Sequence, residues 1–146
     1  MTGKTKKTFL FSILGLIAIG GAIGYYLYNK PPRDAENADA IKVVSTELYQ
    51  IFAKDSAAAN KKYFDKVLEV SGVVNQVSQN QQKELIILLA TNEPGAAVNC
   101  TMKGPAGNIK EKDSIIIKGI CTGINGGDSG MGILGDVYMI GCYLKK

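Results

Sequence analysis

The sequence predicts a small closed β-barrel with a helical lead-in, a mainly β or α+β fold of five strands. One N-terminal transmembrane helix and two short helices precede the barrel. Three observations predict this fold. A β-like run at about 66–78 is followed by four further apolar runs of strand length. Turn signals rich in glycine, proline and asparagine separate the runs. A segment near the N-terminus has no charged residue over 21 positions.

The first strand has Gly72 near its middle. Leu68 and Val70, before the glycine, occupy even-numbered positions, whereas Val73 and Val77, after it, occupy odd-numbered positions. A straight strand cannot bury both pairs on the same side. A β-bulge near Gly72 would reset the alternation and bend the strand, and glycine accepts the backbone angles that a bulge needs. Gly72 is therefore predicted to be a structural residue.

Four more strands are expected, at about 83–91, 96–102, 114–122 and 133–144. A break rich in glycine and proline separates the third strand from the fourth, and a glycine-rich stretch, interpreted as a mobile connector, precedes the fifth. A long bent first strand followed by four strands at this spacing matches the OB-fold, a five-stranded barrel.

The helical lead-in begins the soluble domain, 45–146. Ser45 is predicted to cap the first helix and Asp55 the second. The first helix has one apolar face, formed by Leu48, Ile51 and Phe52. We expect the aromatic residues of both helices to cover one open end of the barrel. They are Tyr49, Phe52, Tyr63 and Phe64.

The uncharged stretch from Thr8 to Tyr28 is long enough for a membrane helix, since a rise of about 1.5 Å per residue carries it across roughly 30 Å of hydrocarbon. It predicts an N-terminal membrane anchor at 1–30, with a transmembrane helix at about 8–28, and a spacer at 31–44. Lysines precede the stretch, so the N-terminus is expected in the cytoplasm and the domain in the periplasm or outside the cell. Secretion after cleavage of a signal peptide is the alternative.

The charged residues argue against a basic binding surface. Five basic and no acidic residues lie in the first 33 positions, which leaves 12 basic and 13 acidic residues from Asp34 onward. The chain has no histidine, which removes the commonest general base and the commonest transition-metal ligand. We therefore expect no enzymatic activity, no metal and no cofactor.

Three cysteines, Cys100, Cys121 and Cys142, fall inside predicted strands. They are either small buried core residues or include one disulfide, which an extracytoplasmic location allows. Because the third and fifth strands are neighbours in an OB barrel, a bridge is expected to join Cys100 to Cys142. Without a histidine to activate a thiol, none of the three is predicted to be catalytic.

The loops that flank the ligand face of OB-folds carry the candidate ligand contacts. Their polar residues are Asn80, Gln82, Asn125 and Asp128. The glycine-rich loop lacks the lysine of a P-loop and the repeated acidic positions of an EF-hand. From Asp65 to Val137 there is no aromatic residue on which a base could stack, which argues against nucleic acid as a partner.

Several short motifs are shared with a known family. They are Glu47-Leu48-Tyr49 with Phe52, Ala59-Asn60 with Tyr63, Val70-x-Gly72-Val73-Val74, Val98-x-Cys100 and Ile117-x-Gly119-x-Cys121-x-Gly123. In them the sequence, from about Ser45 to Tyr143, resembles the bacterial tRNA_anti-like family of OB-fold proteins. The resemblance implies a barrel analogous to anticodon-binding domains, in proteins that are often membrane-anchored or exported and have no assigned function. It implies structural roles, as for Gly119, and no catalytic residue.

The sequence thus predicts a membrane-anchored, extracytoplasmic OB-fold module that binds an unidentified ligand, with the membrane and envelope proteins as partners. A nucleic-acid- or oligosaccharide-binding protein of the same fold is the alternative. The oligomeric state stays open. A positive groove on the barrel would favour nucleic acid, whereas an exposed apolar edge would favour a protein partner.

Overall fold

The computed structural model describes residues 3–29, 34–128 and 130–145. The chain divides into two units, Met1–Arg33 and Asp34–Lys146.

The first unit contains one helix, α1 (Gly3–Tyr28). From position 12 to the end of the helix its side chains are exposed, among them those of Leu14, Leu16 and Leu27. In the described part of the chain, no helix combines the length and the apolar character that crossing a membrane requires. The transmembrane helix at about 8–28 therefore stays a prediction from sequence.

The second unit is a barrel with two helices. Its elements are β1 (Ile41–Val44), α2 (Ser45–Lys54), α3 (Ser56–Tyr63), β2 (Val67–Gln79), β3 (Leu85–Ala90), β4 (Ala97–Met102), β5 (Ser114–Asn125) and β6 (Asp136–Leu144). The sheet order is β1-β2-β3-β4-β6-β5, and a further β2–β5 pairing closes it. The closed barrel of five strands, β2 to β6, confirms the predicted OB-fold.

The two halves of strand β2 pair with different neighbours in the barrel. Val67 to Val73 pair with β5, and Val74 to Gln79 pair with β3. The register shifts between Val74 and Gln76, so the extra residue is Asn75. A bulge does reset the alternation of buried and exposed side chains along β2, but it lies three positions beyond Gly72. Val74 accordingly continues the buried set that begins at Leu68, and the expectation that Val73 is buried is wrong, since it is 43% exposed.

Gly72 has a different role from the one predicted. A Cβ at this position would lie 2.5 Å from Ser45 Oγ and 3.3 Å from Leu89 Cβ. Its φ is not in the left-handed region. The glycine is therefore required because the first residue of α2 packs directly on β2, and not because the backbone needs unusual angles.

Strand β1 lies in the segment that the sequence assigns to a spacer. Ile41 to Val44 pair in parallel with Leu68 to Ser71 of β2. Just before it, Ala35 is fully buried, and the Lys118 ammonium donates to the carbonyl oxygen of Glu36 at 3.2 Å. A four-residue strand shows no readable alternation, and its partner is distant in sequence, so local patterns miss it. Residues 34–44 belong to the folded domain.

Helix α2 packs on β1, β2, β3, β4 and β6 and so covers one end of the barrel. Leu48, Tyr49 and Phe52 face the core, and Tyr63 of α3 joins them with its ring centroid 6.1 Å from that of Phe52. Phe64 does not join them, since it is 54% exposed. The aromatic cover of the barrel end is thus formed by three of the four predicted residues.

The two predicted helix caps differ in outcome. Asp55 caps α3, since its Oδ1 accepts the Ala58 N–H at 3.0 Å. Ser45 is instead the first residue of α2, and its N-cap is Val44. The buried Ser45 hydroxyl donates to the carbonyl oxygen of Ala90 at 2.7 Å, so it fastens the helix to the end of β3.

Candidate functional site

The polar side chains of the β2–β3 loop are used mainly to build the turn. Asn80 Oδ1 accepts the N–H groups of Gln82 and Glu84 at 3.0 and 2.9 Å. Asn80 Nδ2 donates to Glu84 Oε2 at 2.8 Å. Lys83 between them has a φ of 63°. Asn80 therefore holds a tight turn, and Gln82 is exposed on its surface.

The glycine-rich β5–β6 loop, predicted to be a mobile connector, contains several hydrogen bonds between its own residues. The backbones of Asp128 and Ile133 exchange two hydrogen bonds of 2.9 Å. Asp128 Oδ1 accepts the N–H groups of Gly130 and Met131 at 2.8 and 3.3 Å, and Asn125 Oδ1 accepts that of Gly126 at 2.8 Å. These polar side chains, too, shape their own loop.

Between this loop and helix α2 lies a cavity of about 530 Å³, which we name the helix–loop cleft. Asn125 is the predicted site residue that lines it. The other lining residues are mainly apolar or glycine: Tyr49, Phe52, Ala53, Ser56, Ile124, Gly126, Gly127, Gly132, Ile133, Leu134 and Gly135. None of these carries a charge at neutral pH. The cleft is therefore an uncharged, largely apolar cavity beside the covered end of the barrel.

Glycine forms the loop wall of the cleft because two backbone segments cross there. A Cβ on Gly127 would lie 2.6 Å from Gly135 N, and one on Gly135 would lie 2.7 Å from Asn125 O. No side chain fits between backbones at that separation. The glycine-rich composition therefore permits the close crossing that forms the wall.

Apolar side chains are exposed at the mouth of the cleft. Ile133 is 52% and Leu134 is 42% exposed, and the neighbouring Met131 is 76% exposed. Exposed single apolar residues are common, but here three fall within four positions of one loop, and two of them line the cleft. Such a patch is typical of a surface that another molecule covers.

One residue that lines the cleft, Tyr49, has a shifted pKa. Burial raises the pKa of the Tyr49 hydroxyl, and the carboxylates of Glu93 and Asp136 raise it further. Asp136 Oδ1 accepts the Ala97 N–H at 2.8 Å, which fixes this carboxylate where β4 and β6 begin side by side. Two acidic groups thus act on the hydroxyl of this one lining residue.

Comparison with known proteins identifies the family. The sequence profile of the tRNA_anti-like family matches residues 1–134. The chain belongs to the tRNA_anti-like family. No curated protein matches it at a significant level.

Two solved structures are similar to this tRNA_anti-like protein. One is the OBody AM3L09 bound to hen egg-white lysozyme, with 17% identity, a TM-score of 0.39, and coverage of 57% of this chain and 84% of that one. The other is a putative aspartyl-tRNA synthetase from Leishmania major Friedlin, with 9% identity, a TM-score of 0.39, and coverage of 85% of this chain and 25% of that one. Similarity at this level adds nothing on function.

Many OB-folds bind ligands on the outer surface of the second and third barrel strands, here β3 and β4. In this tRNA_anti-like protein one row across that surface consists of Gln76, Leu88, Asn99 and Tyr138, which are paired from strand to strand. A second row consists of Ser78, Ile86 and Thr101. We name these two rows the strand face. It contains one aromatic ring and no charged side chain, so it lacks the cations that would hold a phosphate backbone.

A second apolar surface, the edge groove, lies along β2 and β5. Its volume is about 580 Å³, and it is lined by Val44, Ser71, Gly72, Val73, Ser114, Ile115, Ile116, Leu144 and Lys145. Beside it, Lys145 Nζ lies 2.7 Å from Glu69 Oε2. The hydrogen bond from Lys145 lowers the pKa of the Glu69 carboxyl, and Lys42 and Lys118 lower it further. The lysines of this surface thus surround a carboxylate.

The three cysteines are buried free thiols on β4, β5 and β6. Cys100 and Cys142 lie on neighbouring strands as expected, but both thiols are free and do not form the bridge considered for them. The Cys100 thiol donates to the carbonyl oxygen of Val98 at 3.8 Å. The neighbouring Cys142 side chain, and then burial, raise the pKa of the Cys100 thiol well above its usual value. A Cβ on Gly119 would lie 2.5 Å from Cys142 Sγ, so Gly119 provides the space for this thiol. The described residues contain no cluster suited to a metal ion.

Proposed function

We propose that this protein is a membrane-anchored, extracytoplasmic OB-fold module that binds a segment of another protein in the helix–loop cleft. The observation that carries the proposal is an apolar cavity of about 530 Å³ with exposed Ile133 and Leu134 at its mouth. Cavities of roughly 300–1,000 Å³ with apolar walls and a few polar groups are typical of binding sites. One or two apolar side chains of an extended segment would fill it.

The position of the cleft in the fold also supports the proposal. The β5–β6 loop corresponds to the loop between the fourth and fifth barrel strands, which contributes to ligand binding in other OB-folds. Here that loop contributes glycine backbone and two exposed apolar side chains, which favour an apolar partner over a sugar or a phosphate. Among the described residues, none from the β5–β6 loop lines the edge groove.

The membrane anchor is supported by sequence and by exposure. The stretch from Thr8 to Tyr28 has no charge, and α1 exposes apolar side chains such as Leu14 (65%) and Leu16 (71%). Exposed apolar side chains on a helix are stabilised when a membrane surrounds them. The preceding lysines favour a cytoplasmic N-terminus, which would place the domain in the periplasm or outside the cell.

We also propose that the protein is a binding module and not an enzyme. The thiols of Cys100, Cys121 and Cys142 are buried, and burial contributes to raising the pKa of both Cys100 and Cys121, which disfavours the nucleophilic thiolate. With no histidine in the chain, the commonest acid–base partner for a thiol is missing.

A test of the binding site is selection of displayed random peptides on the full-length protein in non-ionic micelles. Peptides rich in apolar residues should be enriched. Ala53→Trp, which fills the cleft from α2, should weaken their binding by about tenfold or more, whereas Ala57→Trp on the exposed side of α3 should not. If Ile116→Trp in the edge groove abolishes binding and Ala53→Trp does not, the cleft is not the site.

Topology requires a separate experiment. Added protease should degrade the domain in cells whose outer layers are permeabilised, and the anchor should remain with the membrane fraction. Protection of the domain under those conditions would contradict the proposed orientation. A mature chain that begins after about residue 24 and is released to the medium would instead establish secretion.

An oligosaccharide on the strand face is the second candidate. The observation that favours it is the row of Gln76, Asn99 and Tyr138, which combines amide hydrogen-bonding groups with one ring and no charge. Binding to a glycan array that Tyr138→Ala removes and Ala53→Trp leaves unchanged would favour this candidate over the cleft. Tight binding of RNA at physiological salt would contradict both.

A further inference from the structure

Lysines are gathered on the outer side of the sheet where β1, β2, β5 and β6 lie next to one another. Strand pairing places Lys42 beside Glu69 and Glu69 beside Lys118. Lys145 reaches the same place, since its Nζ lies 2.7 Å from Glu69 Oε2. A second acid, Glu36, lines a cavity of about 330 Å³ together with Lys118 and Lys145. Three lysines thus lie among two acids, and the local charge is positive.

An apolar row runs beside the lysines on the same side of the sheet. Val44 pairs with Ser71, and Ser71 pairs with Ile116. Each of these residues is two positions from its neighbour in the lysine row, so the side chains of both rows point the same way. Val44 is 46% exposed, Ile116 is 38% exposed, and Val73, the next residue of β2 on this side, is 43% exposed. We name the two rows, together with Val73 and Lys145, the lysine face.

The chain enters the folded domain beside the lysine face. The carbonyl oxygen of Glu36 accepts a hydrogen bond from Lys118 Nζ at 3.2 Å. Glu36 follows Tyr28, the end of the uncharged stretch, by eight positions in the sequence. Eight residues span at most about 30 Å even when the chain is fully extended. A membrane that holds the stretch up to Tyr28 would therefore always be within about this distance of Lys118.

From these observations, and resting on the membrane anchor of the proposed function, we infer that the lysine face docks on the anionic surface of the membrane that holds the anchor. The lysines contact the headgroups, and the exposed side chains of Val44, Val73 and Ile116 enter the boundary between headgroups and acyl chains. An ammonium has three N–H donors, so the bond to Glu36 leaves Lys118 two for a lipid phosphate.

Docking through the lysine face leaves the helix–loop cleft accessible. The edge groove, which this face includes in part, shares no lining residue with the cleft among the residues described for each. Ile116 of the lysine face and Ile124 of the cleft lie on the same strand, β5, separated by roughly 27 Å of strand length. The docked domain can therefore bind a protein segment and the bilayer at the same time.

An acidic protein surface is the main competing occupant of the lysine face, because it would offer the same charge. The anchor favours the membrane. It keeps a bilayer permanently within reach of the domain, so that contacts too weak to recruit a free protein are sufficient for docking.

The test uses the absence of tryptophan from the chain, which lets one introduced indole report its own environment. Ile116→Trp places it on the lysine face, and Val73→Trp is a second reporter there. Ala57→Trp, on the exposed side of α3, is the matched control. Full-length protein is reconstituted at one copy per nanodisc in mixed phosphatidylcholine and phosphatidylglycerol that contains a spin-labelled lipid. The spin label should quench both reporters on the lysine face by about twofold or more and leave the control unchanged.

Charge variants in the Ile116→Trp background test the attraction to the headgroups. Lys42→Gln combined with Lys145→Gln should reduce the quenching by about twofold or more, and so should nanodiscs of phosphatidylcholine alone. Lys54→Gln combined with Lys61→Gln removes the same total charge from exposed positions on α2 and α3 and should have no effect.

Anchoring and docking fail in different ways. Full-length protein that does not enter the nanodiscs would overturn the anchor and the docking with it. Stable incorporation with no more quenching on the lysine face than at position 57 would overturn the docking and leave the anchor in place. Quenching that neither phosphatidylglycerol nor the lysine variants change would contradict an anionic surface as the occupant. A blue shift of the reporters in non-ionic micelles that grows with protein concentration would assign the face to a second copy of the chain and also contradict the inference.

Discussion

The helix–loop cleft and the strand face lie on the same barrel but differ in construction. The cleft combines α2 with a loop of glycines and is largely apolar. The strand face consists of uncharged polar and apolar side chains on β2, β3, β4 and β6, with one aromatic ring. Of the two surfaces, the one that many OB-folds use for ligands is therefore the one with fewer distinctive features. A fold provides several surfaces, and the added elements decide which one can bind.

Gly72→Val should have the largest effect, because Gly72 is where α2 meets the barrel. The new side chain would displace Ser45 and with it the helix that forms one wall of the cleft. We expect a loss of about 3 kcal/mol in the free energy of unfolding, measured by urea denaturation. Gly72→Ala should be less harmful in a Ser45→Gly background than in the natural chain. Equal costs in the two backgrounds would mean that this contact is not what requires a glycine.

Gly135→Ala should damage the other wall of the cleft. Its Cβ would meet backbone atoms of Asn125 and Gly127, which cannot move independently. We expect about 2 kcal/mol of destabilisation together with loss of peptide binding. Gly132→Ala is the comparison variant. The φ of 67° at Gly132 disfavours alanine, but the space around this position is open. It should cost about 1 kcal/mol. A smaller loss at Gly135 than at Gly132 would contradict the close crossing.

Asp55→Ala should have an intermediate effect on the cleft side of the molecule. It removes the acceptor for the Ala58 N–H at the start of α3, next to the lining residue Ser56. We expect a loss of about 1 kcal/mol, seen as a lower thermal midpoint. Asp55→Asn should retain most of the stability, because its side-chain oxygen still accepts. If both variants lose the same amount, the charge of Asp55 matters more than the cap.

Tyr138→Ala should separate the two surfaces most clearly in binding. Its ring lies on the strand face and does not line the cleft. Affinity for apolar peptides should therefore change by less than about twofold, measured by fluorescence anisotropy of a labelled leucine-rich peptide. A tenfold loss would mean that the strand face takes part in peptide binding.

The smallest effect is expected at Glu69, outside both surfaces. The folded state lowers the pKa of this carboxyl, so its contribution to stability is present above the unfolded pKa and is lost as pH falls through the folded pKa. Glu69→Gln should flatten the acid side of the stability profile slightly, measured by thermal denaturation at several pH values. Lys145→Met should do the same, and an unchanged profile in both would show that the pair does not contribute.

The sequence predicted the barrel well because strands with buried alternation leave a local pattern. The five runs match β2 to β6, and the change of parity between Val70 and Val77 correctly indicated a bulge. It could not locate the bulge at Asn75, since that depends on which half of β2 pairs with β3. Strand β1 was missed because its stability comes from a neighbour far away in sequence.

The candidate site was predicted less well, for a physical reason. Asn80, Asn125 and Asp128 are polar loop residues, and polar loop residues more often bond to their own backbone than to a ligand, as all three do here. Of these, Asn125 lines the cleft. Ile133 and Leu134 gave no signal, because an apolar residue in a strand-like run is indistinguishable from core until its neighbours are known.

The sequence by itself determined the family, the five barrel strands, the two short helices and the uneven distribution of charge, because each depends on composition or on a local period. Tertiary structure alone decided that Gly72 makes room for Ser45, that residues 34–44 join the barrel, and that α2 and the β5–β6 loop enclose a cleft. These features are contacts between segments that are distant in sequence, and a local sequence pattern carries no information about which distant segments meet.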